Sequence, residues 1–389
     1  MLYIWKELFI YKCEICGNYD ERYIGYKKGK PYCRRCISFY GELADDELYI
    51  RQYKGNVELK YELSDEQKSL SGQILDNYKN HNNTLIYAVC GAGKTELVFK
   101  VIEYALKRKE SVGFAIPRKD VVIELSERLK NAFPKYKIVS VFGGHHDELN
   151  GDIVCLTTHQ LYRYNKYFDL LIMDEIDAFP FKDNFVLISL FNRSVRGNHV
   201  LMSATPSEEL VNKYKTMNNH KFIALHTRYH KKPIPVPTIQ IGFGITLAYL
   251  VLKNLIRFLK ENKPVFIFTP TIEQCEILFK MLKIFAKDGN FVHSKRKERS
   301  QIIQEFKKGK YKYLVTTSVL ERGVTFKNLQ VIVYDAAHEI YSKETLIQIS
   351  GRVGRVIGAT GGEIIYVASK KSKAMEESIK NIEESNSYL

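Results

Sequence analysis

Short apolar runs recur along the chain and alternate with stretches in which apolar residues have helical spacing. Between residues 61 and 225 these runs are Leu85–Val89, Val112–Ile116, Ile153–Leu156, Leu170–Met173 and Val200–Met202. A second series follows, at Val265–Phe268, Tyr313–Thr316, Val331–Val333 and Ile364–Val367. Continuous apolar runs separated by helices are typical of parallel strands that are buried on both faces. The pattern therefore predicts an α/β protein with two parallel sheets in tandem.

A proline-rich stretch separates the two series. The sequence HTRYHKKPIPVPT at residues 226–238 places proline at every second residue from 233 to 237. Such spacing removes main-chain donors and favours an extended chain. The first sixty residues lack the alternating pattern and contain four cysteines. We therefore predict a metal-binding module at residues 1–60, one α/β domain at 61–228 and a second at 229–389.

The first apolar run ends in a glycine-rich turn that opens a helical pattern, as in phosphate-binding loops. Main-chain N–H groups of such a turn surround phosphate oxygens, Lys94 reaches the β and γ phosphates, and Thr95 binds Mg²⁺. Ala88 stands where the usual pattern has its first glycine, and alanine does not readily adopt positive φ. We predict an ATP site with these phosphate-binding residues: Ala88, Val89, Cys90, Gly91, Ala92, Gly93, Lys94 and Thr95.

Acidic residues follow the apolar run Leu170–Met173. Asp174 and Glu175 come directly after it, at the carboxyl end of a predicted parallel strand, where ligands bind in such sheets. Asp174 is predicted to hold Mg²⁺ opposite Thr95, and Glu175 to orient and deprotonate the attacking water. Together with the phosphate-binding turn, these residues predict ATP hydrolysis.

Two CxxC pairs lie near the N-terminal end, separated by sixteen residues: Cys13 with Cys16, and Cys33 with Cys36. This spacing predicts a single tetrahedral Zn²⁺ site. A segment of this size buries little apolar area, so the metal is expected to supply much of its folding free energy. A short hairpin with three lysines is predicted between the pairs, and contact with either DNA or a protein stays open for it.

The chain is strongly basic, with a formal net charge of +15. This charge favours a large acidic partner, nucleic acid first and an anionic membrane surface second. The N-terminal sequence does not have the pattern of a signal peptide, and no apolar run approaches the roughly 18 to 20 residues of a membrane span. We therefore expect a cytoplasmic protein.

The order of the motifs resembles the first motor domain of superfamily 2 helicases: AVCGAGKT at 88–95, PRKD at 117–120, TTHQ at 157–160, DEID at 174–177 and SAT at 203–205. The resemblance implies two tandem RecA-like motor domains. It also implies that Gln67, in the segment LSDEQ, recognises adenine. Nucleic-acid contacts are implied for Arg118, Thr157, Thr158, Thr269 and Thr316.

The sequence QISGRVGR at 348–355 resembles the arginine-bearing motif of the same motors. The resemblance implies catalytic roles for Gln348, Arg352 and Arg355. Guanidinium groups one helical turn apart can stabilise the charge that spreads over the γ-phosphate in the transition state. We expect Arg355 to be the arginine finger and Arg352 to assist it. The segment 316–326 resembles a coupling motif in which many relatives carry an acidic residue in place of Thr325.

Three features together resemble the late-competence ComFA family: the four-cysteine module ahead of the motor, DEID followed by Ala-Phe-Pro, and LERGVTF at 320–326. This resemblance implies an ATPase stimulated by single-stranded DNA, which helps to pull DNA through a membrane channel in natural transformation, at the inner face of the membrane. It implies a phosphoribosyltransferase-like competence protein, the DNA channel and a recombination mediator as partners.

Two alternatives stay open at the level of sequence. One is a replication-restart helicase of the PriA type, although the cysteines of that family resemble an insertion in the second motor domain. The other is a zinc-dependent nucleic-acid-binding adaptor whose ATP site acts as a switch without translocation. Slow, DNA-independent hydrolysis would favour the adaptor.

Overall fold

The computed structural model describes residues 11–59, 62–320, 326–356 and 358–389. Thr325, which the sequence singled out, therefore lies outside the described residues. The chain divides into two compact units. The first comprises Met1–Tyr87 and Lys94–Ala224, and the second comprises Ala88–Gly93 and Leu225–Leu389. The turn Ala88–Gly93 thus belongs, by its contacts, to the second unit.

The N-terminal module contains a two-stranded antiparallel hairpin of β1 (Ile24–Lys27) and β2 (Lys30–Cys33). Lys28 and Gly29 form its turn and both have positive φ, at 49° and 75°, as a two-residue hairpin turn of matching twist requires. The predicted hairpin is therefore confirmed. Short 3-10 helices lie at Glu21–Tyr23, Arg34–Cys36 and Asp46–Leu48.

The first unit is built around a seven-stranded sheet. Its strands are β3 (Asn83–Ala88), β4 (Val112–Ile116), β5 (Ile138–Val141), β6 (Ile153–Thr157), β7 (Phe168–Asp174), β8 (Val195–Ser203) and β9 (His220–Leu225), in the spatial order β5-β6-β4-β7-β8-β3-β9. The pairings from β5 through to β3 are parallel. Six helices accompany them among the described residues: α1 (Asp65–Lys79), α2 (Lys94–Leu97), α3 (Phe99–Lys107), α4 (Lys119–Ala132), α5 (Phe185–Ser194) and α6 (Glu208–Thr216).

The second unit contains a six-stranded parallel sheet. Its strands are β10 (Thr238–Ile241), β11 (Val265–Phe268), β12 (Gly289–Val292), β13 (Tyr313–Thr316), β14 (Gln330–Tyr334) and β15 (Ile364–Ala368), in the order β10-β15-β14-β11-β13-β12. Its described helices are α7 (Ile245–Lys260), α8 (Ile272–Phe285), α9 (Arg299–Lys307), α10 (Lys343–Ser350) and α11 (Lys373–Asn386). The α/β class with two parallel sheets in tandem is thus confirmed.

The strands nearest the middle of each sheet are the most buried. All five residues of β4 and of β6 are buried, as are all four of β11, because helices cover both faces of the sheet. Apolar clusters of described residues fill these layers, including a cluster around Phe168 and Leu171 in the first unit and clusters around Phe266 and Ile267 in the second. Within the described residues, the helices include none with the length and apolar character of a membrane span.

Candidate active site

The phosphate-binding turn leaves the end of β3 and leads into α2. Gly91 and Gly93 have φ of 88° and 75°, a region that glycine enters without the steric penalty of a Cβ atom. Ala88 is still the last residue of β3 and is fully buried. A strand residue needs no positive φ, so alanine is compatible with the position where a glycine was expected.

Lys94 and Asp174 lie next to each other in the first unit. The distance from Lys94 Nζ to Asp174 Oδ1 is 3.8 Å, and the two side chains are only 16% and 15% exposed. Burial raises the pKa of Asp174, and the positive charge of Lys94 opposes this shift. Carboxylate and hydroxyl oxygens are suitable ligands for Mg²⁺. Asp174 and the buried Thr95 would hold the ion, and its charge would favour the ionised form of Asp174.

Glu175 is the first residue after β7, and its backbone is unusual. It has φ of 59°, a value that residues with a Cβ rarely adopt and that concentrates at functional sites. The Glu175 N–H donates to Asp174 Oδ1 at 2.8 Å, and the Glu175 carbonyl accepts from the N–H of Ala178 at 2.9 Å. The turn after the strand is therefore held at both ends.

Asp177 joins the DEID turn to the SAT turn at the end of β8. Its Oδ1 accepts from Ser203 Oγ at 2.7 Å, and its Oδ2 accepts from Thr205 Oγ1 at 2.8 Å. Ser203 Oγ also accepts from the Thr205 N–H at 2.9 Å. The DEID motif begins at residue 174 and the SAT motif at residue 203, 29 residues later. In the structure the two motifs are joined by hydrogen bonds into one unit.

Gln67 caps the start of α1. Its side-chain Oε1 accepts from the Ser64 N–H at 3.0 Å, while its own N–H donates to Ser64 Oγ at 3.2 Å, which is a capping box. Gln67 is 5% exposed. Adenine recognition through Oε1 would have to compete with this capping hydrogen bond.

The predicted nucleic-acid contacts lie at carboxyl ends of strands. In the first unit, Thr157 ends β6 and Arg118 occupies the N-cap position of α4 after β4. Thr158 is fully buried, and its hydroxyl has no hydrogen-bond partner among the described atoms. In the second unit, Thr269 Oγ1 donates to the Thr316 carbonyl at 3.2 Å, and Thr316 Oγ1 donates to the Thr317 carbonyl at 3.0 Å. These two hydroxyls are buried and engaged inside the protein.

The arginine-bearing motif ends α10 in the second unit. Gln348 is 5% exposed, and its Oε1 accepts from the thiol of Cys90 at 3.2 Å. Gly351 packs against the same cysteine, because a Cβ at this position would lie 2.5 Å from Cys90 Cβ. Arg352 is 2% exposed, whereas Arg355 is half-buried and donates from Nε to the Gly351 carbonyl at 2.7 Å.

The structure adds Arg228, which the sequence analysis did not single out. Its guanidinium is 2% exposed and donates to four main-chain carbonyls of the second unit: Cys90 at 3.1 Å, Val353 at 2.8 Å, Gly354 at 3.1 Å and Gly351 at 3.3 Å. Burial, with a smaller effect from Arg355, lowers the pKa of Arg228 to about 10. The group remains charged at neutral pH and ties the phosphate-binding turn to the arginine-bearing loop.

Arg228 could have been suspected from one sequence signal. It stands in the basic stretch just before the three alternating prolines, and the prolines themselves indicate only a domain boundary. The adjoining His230 supports the same loop, with its Nε2 2.9 Å from the Gly354 carbonyl. No periodicity or motif indicates that a linker arginine is buried, because its four acceptors are main-chain groups.

The four cysteines form a compact cluster in the first unit. Their sulfur atoms all lie within 4.8 Å of one another, and each residue is at most 5% exposed. Around a tetrahedral Zn²⁺ the sulfurs would be about 3.8 Å apart, which matches the 3.8 Å between Cys16 Sγ and Cys33 Sγ. Burial raises the pKa of Cys16 to about 11 and also raises that of Cys36. Without a cation, burial therefore favours the neutral thiols. A bound cation would instead stabilise the thiolates, so the donor set fits zinc.

Comparison with known protein families covers both units. The family described as "Type III restriction enzyme, res subunit" matches residues 60–208, and "Helicase conserved C-terminal domain" matches residues 249–357. Among solved structures, Dbp5 of S. cerevisiae bound to RNA and ADP BeF3 has a TM-score of 0.63 at 17% identity, over 84% of this chain and 92% of that one. RecG bound to a three-way DNA junction has a TM-score of 0.61 at 18% identity, over 84% and 47%. These likenesses establish the fold as two RecA-like domains.

The curated relatives are more specific. Competence protein ComFA of Bacillus subtilis (strain 168) is 34% identical over 97% of this chain and 86% of its own length. Competence protein ComFA of Streptococcus pneumoniae (strain R6) is 32% identical over 96% and 90%. Their family implies ATP and Mg²⁺ as cofactors, and the four cysteines are present in the N-terminal module as the resemblance required. The chain therefore belongs to the ComFA family of superfamily 2 helicases and is a competence-associated ATPase of the helicase type.

Proposed function

We propose that the protein is an ATP-driven translocase on single-stranded DNA that helps to take up DNA in natural transformation. The observation that carries this proposal is the arrangement of three neighbouring strands, β6, β4 and β7. They are parallel, so Thr157 and Asp174, which end β6 and β7, and Arg118, which follows β4, lie at one edge of the same sheet. The candidate DNA contacts and the candidate Mg²⁺ ligand thus share one edge of the sheet. A motor that couples ATP hydrolysis to movement along DNA requires such proximity.

In this proposal the ATP chemistry rests on the residues that the sequence predicted. The turn 88–95 binds the phosphates, Thr95 and Asp174 hold Mg²⁺, and Glu175 orients and deprotonates the attacking water. The bound ion would neutralise charge that develops on the phosphates. Gln348, Arg352 and Arg355 keep their proposed catalytic roles, with Arg355 as the finger. Gln67 remains the proposed contact to adenine.

The proposed DNA interface uses phosphate contacts rather than base contacts. Arg118 is the charged candidate, while Thr157, Thr158, Thr269 and Thr316 mark loops whose main-chain groups can contact phosphates. A net charge of +15 favours such binding. The competence partners proposed with this role are a phosphoribosyltransferase-like protein, the DNA channel and a recombination mediator, at the inner face of the membrane. The proposed domain division is 1–60, 61–228 and 229–389.

The proposal is tested by the rate of ATP hydrolysis with single-stranded DNA, duplex DNA and RNA, each over a salt series. We expect single-stranded DNA to give the largest stimulation. The DNA concentration for half-maximal stimulation should rise steeply with salt, because phosphate contacts release counterions. Equal activation by RNA would contradict the DNA-uptake role, and slow hydrolysis that ignores nucleic acid would favour a switch-type adaptor.

A further inference from the structure

Phe39 links the four-cysteine cluster to the core of the first unit. It lies three residues after Cys36, and its N–H donates to the Cys36 carbonyl at 2.9 Å. The Phe39 side chain packs against the cysteine cluster together with Ile15 and Val186. Val186 belongs to α5, so the metal-binding module is seated on the helix that follows the DEID turn.

The Phe39 ring also contacts the segment after β6. The ring is stacked on His159, with centroids 6.2 Å apart and an interplanar angle of 27°, and it lies 5.8 Å from the ring of Tyr162. Burial lowers the pKa of His159, so the imidazole is neutral at pH 7 and the stack contains no buried charge. Such aromatic pairs stabilise a fixed geometry beyond the effect of the buried area alone.

Hydrogen bonds to main-chain carbonyls continue this contact along the residues that follow Phe39. Tyr162 Oη donates to the Tyr40 carbonyl at 2.7 Å. Arg163 donates from Nη1 to the Glu42 carbonyl at 2.6 Å, and its own carbonyl accepts from the Ala44 N–H at 2.9 Å. Every one of these groups belongs to residues 39–44 or to the 3-10 helix Thr158–Arg163. The two segments are therefore held together by an aromatic stack and three hydrogen bonds.

The 3-10 helix Thr158–Arg163 is the element that begins with the TTHQ motif. Thr158 at its start is fully buried with an unpartnered hydroxyl, as described above. An unpaired buried hydroxyl costs free energy, and it does not fix the start of the helix through a hydrogen bond. Two groups of α5 hold the middle of this helix, because Ser194 Oγ donates to the Leu161 carbonyl and Arg193 Nη1 donates to the Tyr162 carbonyl, each at 3.0 Å. Phe39 with residues 40–44 packs on the same helix from the side of the cysteine cluster and contacts its residue His159.

We propose that Phe39 is a positioning residue that couples the four-cysteine cluster to the TTHQ helix, so that metal occupancy sets the affinity for single-stranded DNA. This inference rests on the proposed function, which assigns DNA contact to that helix. The metal fixes Cys33 and Cys36. The Cys36 carbonyl accepts the hydrogen bond from the Phe39 N–H, and the Phe39 ring stacks on His159. Loss of the metal removes the folding free energy of the module and with it the contacts of Phe39 and residues 40–44 to the TTHQ helix. Lys94, Asp174 and Glu175 are on β7 and α2 or directly beside them, so basal ATP hydrolysis should change little.

The first experiment compares Phe39→Ala, Phe39→Tyr and the control Ile37→Ala in the full chain. Ile37 is 65% exposed in the same segment. We expect Phe39→Ala to keep its zinc and basal ATPase rate but to bind a fluorescent single-stranded oligonucleotide about three- to tenfold more weakly. Phe39→Tyr retains the ring and should bind like the wild type, as should Ile37→Ala. If Phe39→Ala loses zinc, Phe39→Leu keeps apolar volume beside Cys36 without a stacking ring and takes its place.

The second experiment combines the mutation with removal of the metal. Zinc is extracted from the wild type and from Phe39→Ala before Mg²⁺ is added, and DNA affinity is measured by fluorescence anisotropy. Zinc removal should weaken the wild type by about the same factor as the mutation and should weaken Phe39→Ala by less than about twofold, because effects within one coupled unit do not add. Amide hydrogen exchange of residues 158–163 should rise in parallel.

Three results would overturn the inference. Unchanged DNA affinity in Phe39→Ala would remove the positioning role while leaving the proposed function intact. Fully additive effects of mutation and zinc removal would mean that the metal acts on DNA binding by a separate route. A wild-type protein that binds no single-stranded DNA would overturn the proposed function, and the inference with it.

Discussion

The hydroxyl of Ser203 donates a hydrogen bond of 2.7 Å to Oδ1 of Asp177 and so holds the SAT turn against the DEID turn. Ser203 is fully buried, and a hydrogen bond to a charged acceptor contributes more than a neutral one. Glu175, two residues before Asp177, lies in the same turn. The position of the proposed catalytic base therefore depends on a residue from the next strand.

We expect Ser203→Ala to lower the free energy of unfolding by about 1.5–3 kcal/mol, the usual range for a hydrogen bond to a charged group. The ATPase rate should also fall, because the turn that carries Glu175 loses its anchor. Urea unfolding and steady-state hydrolysis measure the two effects. Thr205→Ser keeps the second hydroxyl on Asp177 and is the matched control. A stable Ser203→Ala protein with normal hydrolysis would contradict this role.

Glu175→Gln should separate ATP binding from ATP hydrolysis. The amide cannot deprotonate water, so we expect hydrolysis to fall about a hundredfold or more, while nucleotide affinity stays near that of the wild type. Lys94→Ala should lower both the nucleotide affinity and the rate of hydrolysis, because it removes a phosphate contact. A fluorescent nucleotide titration and a single-turnover assay distinguish the two, with the exposed Glu209→Gln as control. A normal hydrolysis rate in Glu175→Gln would remove its assignment as base.

Arg228→Lys should weaken nucleotide binding and hydrolysis, by about tenfold in kcat/KM. Lysine presents a single nitrogen and cannot donate in the planar, forked geometry with which Arg228 meets four carbonyls. The Cys90 carbonyl and the loop Gly351–Gly354 would lose their common donor. Lys232→Met, at an exposed basic position nearby, is the control for the loss of one positive charge. Retained kcat/KM in Arg228→Lys would mean that charge alone suffices, and retained kcat/KM in Arg228→Met would exclude the role.

His199 should make stability depend on pH. Its Nε2 lies 2.6 Å from Tyr214 Oη, and burial, with smaller effects of His220 and Lys213, lowers the pKa of His199 to about 3. In the unfolded chain a histidine titrates near pH 6.5. Below that pH the unfolded state binds a proton that folded His199 does not, so stability is full above about pH 6.5 and falls by about 1.4 kcal/mol per pH unit towards pH 3.

The measurement is the urea-derived free energy of unfolding at about pH 7.5 and about pH 5.5. His199→Phe should show a shallower decline than the wild type, whatever its absolute stability, because the depressed imidazole is gone. The exposed His145→Gln variant should keep the wild-type slope. Equal slopes in the wild type and His199→Phe would show that other groups cause the acid sensitivity.

The strands that the apolar pattern identified are the inner ones of each sheet. Apolar runs predicted β3, β4, β6, β7 and β8 in the first unit and β11, β13, β14 and β15 in the second. The four that it missed are β5, β9, β10 and β12, which are the outermost strands in the two sheet orders. An inner strand of a parallel sheet is covered on both faces and must be apolar throughout. An edge strand such as β10, with the burial pattern exposed, half-buried, half-buried, exposed, carries no such run.

The sequence by itself determined the parts of this protein whose chemistry is local. Cysteine spacing determined the four-sulfur cluster. The glycine-rich turn and the carboxylates at the end of β7 lie within a few residues of the strand ends that position them. Only the tertiary structure decided the contacts between segments distant in sequence: Ser203 with Asp177, Arg228 with four carbonyls, and Phe39 with His159. Their partners are a single carboxylate, main-chain carbonyls and a single ring, which impose no periodicity on the chain. Such contacts are set by packing, and packing exists only once the strands have been ordered into sheets.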